Sequence, residues 1–203
     1  YLNDPKYSVM EFGGNNGLLA RQYKEKYPHS DYFFIRDHQD KTSFDGVGYG
    51  VYLKKLDQDF FAKYPNINYW IFDKIIEYLE DPVSILMKIR NASISNSRII
   101  AVIPNSQHWT LQLRILSGDL NYSSEGLLGS EIRRFYSRST MIQLFKEAGW
   151  SVIDAIPVIQ STLNNGNIES AIKNLLMSLG LDYIKEYGLM QADAFVIVAE
   201  VGE

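Results

Sequence analysis

A short apolar run, Tyr7 to Phe12, ends in Gly13–Gly14–Asn15–Asn16–Gly17 and passes directly into Leu18–Leu19–Ala20–Arg21–Gln22–Tyr23–Lys24, a helix-type pattern. Strand, tight Gly-rich turn and helix is the unit that builds an α/β sheet. Its turn falls at the carboxyl end of the strand, where such sheets present a loop to a nucleotide-like ligand. Gly13 and Gly17 admit backbone angles closed to other residues, and the missing Cβ lets the backbone approach a ligand closely. Asn15 and Asn16 tolerate the left-handed region. The same residues also suit a plain strand-to-helix turn, so the rest of the chain has to decide between the two.

The downstream pattern repeats that alternation. Residues 18–27 read as a helix with Leu18, Leu19 and Tyr23 toward the sheet, stopped at Pro28. Asp31 to Arg36 is a mostly apolar strand of the kind buried on both faces of a parallel sheet. Val47 to Leu53 is expected as a third strand and Asp57 to Lys63 as a short helix. Asn68 to Phe72 is a bulky strand that runs into Asp73, and Pro82 suits the first turn of the helix after it. Arg98 to Ile103 is a strand stopped by Pro104–Asn105, and a helical pattern spans His108 to Leu116. Ser139–Thr140 caps a helix that closes at Gly149, Trp150 to Ile159 is a strand, 167–187 reads as helical, and Ala194 to Val201 is the last strand. Seven strands alternating with helices at this spacing predict a doubly wound, mostly parallel sheet. The final segment, Asp154 to Val201, reads as a pair of strands around a helical insertion, which places one antiparallel strand near the C-terminus.

Composition narrows the chemistry. The 203 residues suit one compact domain, and 46% hydrophobic with 22% charged residues allows a packed core. A net charge of −4 argues against a protein built to grip nucleic-acid phosphates. No apolar run approaches the ~20 residues a membrane helix needs. Zero cysteines exclude disulfides and thiolate metal sites and fit a cytoplasmic protein. The three histidines, His29, His38 and His108, share no metal-ligand spacing. Tyr1 stands where an initiator Met would, which fits a domain cut from a longer chain or a protein whose N-terminal helix is missing.

Four segments then carry a resemblance. Glu11–Phe12–Gly13–Gly14–Asn15–Asn16–Gly17 is similar to an acid-x-Gly-x-Gly-x-Gly loop with Asn15 in place of the middle Gly. Ile76–Glu77–Tyr78–Leu79–Glu80–Asp81–Pro82 resembles Leu-Glu-His-Leu-x-Asp-Pro with Tyr78 where His is usual. Val102–Ile103–Pro104–Asn105 followed by His108 resembles Val-Pro-Asn-x-x-His. Arg134–Phe135–Tyr136–Ser137 and Glu147–Ala148–Gly149–Trp150 resemble Arg-Phe-Phe-Thr and Glu-Ala-Gly-Phe. In this order and spacing they resemble the class I, Rossmann-like S-adenosylmethionine-dependent methyltransferases over nearly the whole of 1–203. Within that class the chain looks most like the branch beside sugar and surface-polysaccharide biosynthesis.

The resemblance implies S-adenosyl-L-methionine as cofactor and a small-molecule or glycan acceptor methylated at oxygen, with no metal. It sets no oligomeric state. It implies that the turn, Gly13, Gly14, Asn15 and Gly17, approaches the methionine and ribose part, and that Glu11 orients the cofactor ammonium. The ribose acid falls at Asp37, because Arg36 occupies the position counted from Gly17. Asp57 faces the adenine amino group or is a solvated helix-start acid. Phe72 and Asp73 line the cofactor. His108 is a candidate base toward an acceptor hydroxyl, or a loop histidine with no chemical task. Glu77 is a supporting acid or a solvated one. Arg133 and Arg134 clamp an anionic acceptor or pair with surface acids, and some of the 14 tyrosines suit stacking on sugar rings.

Asn15, Arg36, Asn68, Tyr78 and Ile132 depart from the family pattern. They keep open a degenerate methyltransferase-fold domain with an interaction or scaffolding role. A nicotinamide-dependent oxidoreductase shares the first turn but not the two downstream segments.

Overall fold

In a computed structural model the described residues are 6–13, 17–35, 56–123, 127–160 and 162–202. They form strands β1 (Val9–Gly13), β2 (Tyr32–Ile35), β3 (Tyr69–Asp73), β4 (Arg98–Pro104), β5 (Trp150–Val158) and β6 (Ala194–Val201). The helices are α1 (Leu18–Lys26), α2 (Gln58–Lys63), α3 (Pro82–Ala92), α4 (Trp109–Ser117), α5 (Arg138–Glu147), α6 (Gly166–Ser178) and α7 (Tyr183–Met190), with a 3-10 turn at Ile76–Tyr78. The sheet order is β2-β1-β3-β4-β6-β5. β1 pairs in parallel with β2 and β3, and β3 with β4. β6 is antiparallel to both β4 and β5.

The doubly wound, mostly parallel sheet with one reversed strand is therefore present. Its count differs from expectation: six strands lie among the described residues, and the expected strand at Val47 to Leu53 lies outside them. The expected helix at 167–187 is two helices. Gly180, at φ +71, turns the backbone left-handed after α6, and α7 starts with the Asp182 side chain accepting from the Lys185 amide. The strand pair enclosing this insertion, β5 and β6, is as the sequence suggested.

Alternation along β1 and β3 sorts the core onto two faces. Met10, Phe12, Trp70 and Phe72 face a large cluster completed by α2, α3 and α5. Val9, Tyr69 and Ile71 face a smaller one with α1 and Tyr32. Helix α1 meets the sheet through Ala20 and Tyr23, not through Leu18 and Leu19, which are 58% and 38% exposed. Ala20 and Tyr23 are three positions apart, close to one helical turn, and that stripe leaves the two leucines at the open start of the helix. The same alternation sets Glu11 and Asp73 on the α1 face, with Asp73 at the carboxyl edge.

Candidate functional site

β1 and β3 end together at the paired Gly13 and Asp73, and β4 runs two residues past Val102, the partner of Asp73, so Gly13, Asp73 and Pro104–Asn105 lie at one edge of the sheet. Gly13 has φ +83 and pairs with Asp73; a Cβ placed on it would stand 2.7 Å from the Asp73 carbonyl oxygen. The backbone of β1 thus presses on β3 where the turn begins, which only glycine permits. Gly17, at φ +62, opens α1 with no side-chain cap, so the helix start is bare main chain. Gly14, Asn15 and Asp37 lie outside the described residues.

Glu11 is 1% exposed and accepts a hydrogen bond from the Tyr32 hydroxyl. Burial raises its carboxyl to about 7; the Tyr32 bond pulls down and the Asp73 charge pushes up. Burial is also the leading cause that raises the Tyr32 phenol, with Glu11 adding to it. Glu77, in the 3-10 turn, is 3% exposed, and burial lifts it to about 7 as well; a hydrogen bond from its own main chain opposes, Asp73 adds and Lys74 opposes. It is thus a buried acid rather than a solvated one. Its Oε2 has no hydrogen-bond partner, and neither does the Tyr136 hydroxyl. Asp73 acts on both glutamates.

Other expected residues have settled elsewhere. Phe72 is fully buried and stacks on Phe12 with ring centroids 4.8 Å apart, so its side chain belongs to the core and lines no surface. Alternation decides this: with Asp73 on the α1 face, Phe72 must point to the other. Asp57 caps α2, accepting from the Phe60 amide at 2.9 Å. Arg134 donates to the carbonyls of Leu79 and Glu80, which binds its guanidinium to main chain rather than to an acceptor anion.

His108 is 3% exposed, with Nδ1 2.7 Å from Thr110 Oγ1 and Nε2 3.5 Å from Asp193 Oδ1. The ring is enclosed and oriented by protein on both nitrogens, not open toward an acceptor. It belongs to a tie joining the ends of β4, β5 and β6. Asn105, with no exposure, donates through Nδ2 to the carbonyls of Leu189 and Ala192, both at 2.8 Å. The Asp193 main chain bonds Asn105 and Val158, and its Oδ2 accepts from the Gln160 amide. Asp193 and Tyr32 escaped sequence reading. Only the fold brings Asp193 to His108, and an aromatic inside an apolar strand gives no sign of a polar task. Among the described residues no cluster of three or more His, Cys, Asp or Glu could hold a metal, and no helix is long and apolar enough to cross a membrane.

No family model and no curated protein sequence matches the chain. Solved structures do. A SAM-dependent methyltransferase from Archaeoglobus fulgidus superposes with a TM-score of 0.63 at 9% identity, over 96% of this chain and 86% of that one. One from Thermotoga maritima, described as a possible histamine N-methyltransferase, gives 0.59 at 11% identity, over 97% and 82%. The mitomycin 7-O-methyltransferase MmcR gives 0.52 at 14% identity, over 96% of this chain and 49% of that one. The chain has the fold of the SAM-dependent methyltransferases. At these identities the likeness is one of fold, and the chemistry rests on the edge just described.

The residues at that edge fit such a cofactor. Gly13 brings bare backbone to the turn, and the enclosed carboxylate of Glu77, with its Oε2 unpartnered and Asp73 acting on it, suits a ligand that carries positive charge.

Proposed function

We propose that this chain is an S-adenosylmethionine-dependent methyltransferase that acts on a sugar or surface-glycan acceptor at oxygen. The observation that carries the reading is the carboxyl edge of β1 and β3. There a glycine that must be glycine meets Asp73, with two buried acids behind it. The four sequence segments with family resemblance support it, because the segments at 11–17 and 102–108 begin in the last residues of β1 and β4 and the one at 76–82 follows β3. The mitomycin enzyme, with the same fold, is an oxygen methyltransferase by name.

In this reading Gly13, Gly14, Asn15 and Gly17 cradle the methionine and ribose part, and Asp37 takes the ribose hydroxyls. Asp73 faces the cofactor, and Glu11 acts from behind the turn. Bound S-adenosylmethionine supplies an electrophilic methyl group on a sulfonium. The protein aligns that methyl with an acceptor oxygen and keeps water away. His108 holds the loop after β4, on which the acceptor would rest, through its contacts with Thr110 and Asp193.

A second reading, a methyltransferase-shaped domain with an interaction role, is favoured by the enclosure of His108 together with the departures at Asn15, Arg36 and Tyr78. Calorimetric titration with S-adenosylhomocysteine separates the two. Micromolar binding that weakens in Asp37→Ala supports a working cofactor site and directs a search among sugar acceptors. No binding at millimolar ligand overturns the enzyme reading in favour of the second.

A further inference from the structure

The two polar atoms left without partners near the end of β3 define a place where charge is expected and none is supplied. Glu77 Oε2 and the Tyr136 hydroxyl are both buried and unpartnered, in residues 3% and 7% exposed. Both are held in place. The amides of Arg133 and Arg134 donate to the Glu77 carbonyl at 3.0 and 3.2 Å, and the Ser106 amide donates to the Tyr136 carbonyl at 2.8 Å.

The charged groups around Glu77 are Asp73 and Lys74 from the end of β3, and Tyr136 from the strap at 131–137 that crosses it. Arg134, on the same strap, is engaged by the carbonyls of Leu79 and Glu80. Glu11 faces Tyr32 from β2 and Asp73 from β3, with the Tyr23 ring of α1 packed on Tyr32 at 5.4 Å. Among the described residues, Lys74 is the cation that opposes Glu77. The Glu77 main chain donates to its carboxylate, which leaves Oε2 unsatisfied; a buried carboxylate with an unpaired oxygen is costly, and its cost falls when a cation comes near.

Resting on the methyltransferase reading, we propose that Glu11, Asp73 and Glu77 form an acidic floor beneath the cofactor turn. This floor holds the cationic methyl donor in preference to its neutral thioether product, and proton uptake at Glu77 switches the preference off. Donor and product share adenine, ribose, ammonium and carboxylate. They differ by one methyl group and by the positive charge on sulfur. Carboxylates in a poorly polarisable interior act on that charge far more strongly than they would in water. Once the methyl has left, the attraction ends, and the floor favours exchange of product for fresh donor. Glu11 and Glu77 sit at about 7, so the floor gains charge across neutral pH. Rising pH therefore strengthens donor binding, and donor binding expels protons.

The test is calorimetric titration of the chain with S-adenosylmethionine and, separately, S-adenosylhomocysteine between about pH 6 and about pH 8, in buffers of different ionisation heat. The ratio of donor to product affinity is expected to rise about three- to tenfold over that range. Near neutral pH the donor should release more protons than the product. Glu77→Gln should keep its affinity for product and flatten the rise. A ratio independent of pH while both ligands bind overturns the proposal, as does a folded Glu77→Gln protein with the full rise. If that variant does not fold, equal proton release for the two ligands in the unaltered chain overturns it alone. Binding of neither ligand is a different failure, since it removes the methyltransferase reading and the proposal with it.

Discussion

Tyr32 donates its phenolic hydrogen to Glu11 Oε2 across two neighbouring parallel strands, and neither residue is more than 5% exposed. The register pairs Val9 with Tyr32 and Glu11 with Phe34, so the bond runs diagonally on the face that α1 covers. A carboxyl group is tolerated there because one donor reaches it. Burial still dominates, and the acid holds its proton far above the usual carboxylate range.

Removing that donor tests the arrangement. Tyr32→Phe leaves Glu11 buried without its partner, and the expected loss is about 1–3 kcal/mol. Urea unfolding at pH 8 and at pH 5 reads it. The loss should be larger at pH 8, where Glu11 is mostly ionised in the folded state. Equal stability of variant and parent at pH 8 would show that the bond contributes nothing.

Stability should fall as pH rises through neutrality. Glu11 and Glu77 have carboxyls raised from 4.5 to about 7 in the folded chain. Between those values the folded state binds protons that the unfolded state has released, so folding weakens as pH increases. The contribution is fully present below about pH 4.5 and is lost by about pH 7, on the order of a few kcal/mol for the two groups together. Thermal melts across this window should show the descent. Glu77→Gln should lessen its slope and melt higher than the parent at pH 8.

Gly13→Ala combines two penalties. Its φ of +83 is unfavourable for alanine, and the new Cβ would meet the Asp73 carbonyl oxygen at 2.7 Å. A loss of about 1–3 kcal/mol from backbone strain, with β1 displaced from β3, is expected in thermal unfolding. Calorimetry should show weakened S-adenosylhomocysteine binding. A variant that melts and binds like the parent would mean that the close approach is not required.

Asn105→Ala should be among the more damaging single changes. The side chain satisfies the carbonyls of Leu189 and Ala192 and accepts from the Gln107 amide at 3.0 Å. Deleting it leaves buried main-chain groups unpaired, at a cost of at least about 2 kcal/mol. Denaturant unfolding checks the size. Hydrogen exchange should show the loosening first at the ends of β4 and β6, which this residue joins.

Much of the fold was legible because periodicity is local. Apolar runs such as Trp70 to Phe72 and Ile99 to Ile103 announce buried strands, and Asp57 and Asp81 cap the helices that follow them. The cap of α5 is Ser137, not the expected Ser139–Thr140, because the Ser137 side chain accepts from the Thr140 amide and Thr140 bonds back to the Ser137 amide, closing the first turn two residues earlier. The glycines of the first turn marked the edge where β1 and β3 end. Phase was harder. One helix could bury either Leu18–Leu19 or Ala20–Tyr23, and only packing against Tyr32 and Tyr69 chose the second pair.

The sequence by itself determined the strand–turn–helix alternation, the place of the Gly13–Gly17 turn and the acid Asp73 at the end of β3, since these depend on residues a few positions apart. Tertiary structure alone decided that Glu11 meets Tyr32, that Glu77 is enclosed beneath the strap, and that His108 is held by Asp193. Those relationships join residues far apart in the chain. Their energetics come from burial, and burial does not exist until the chain has folded.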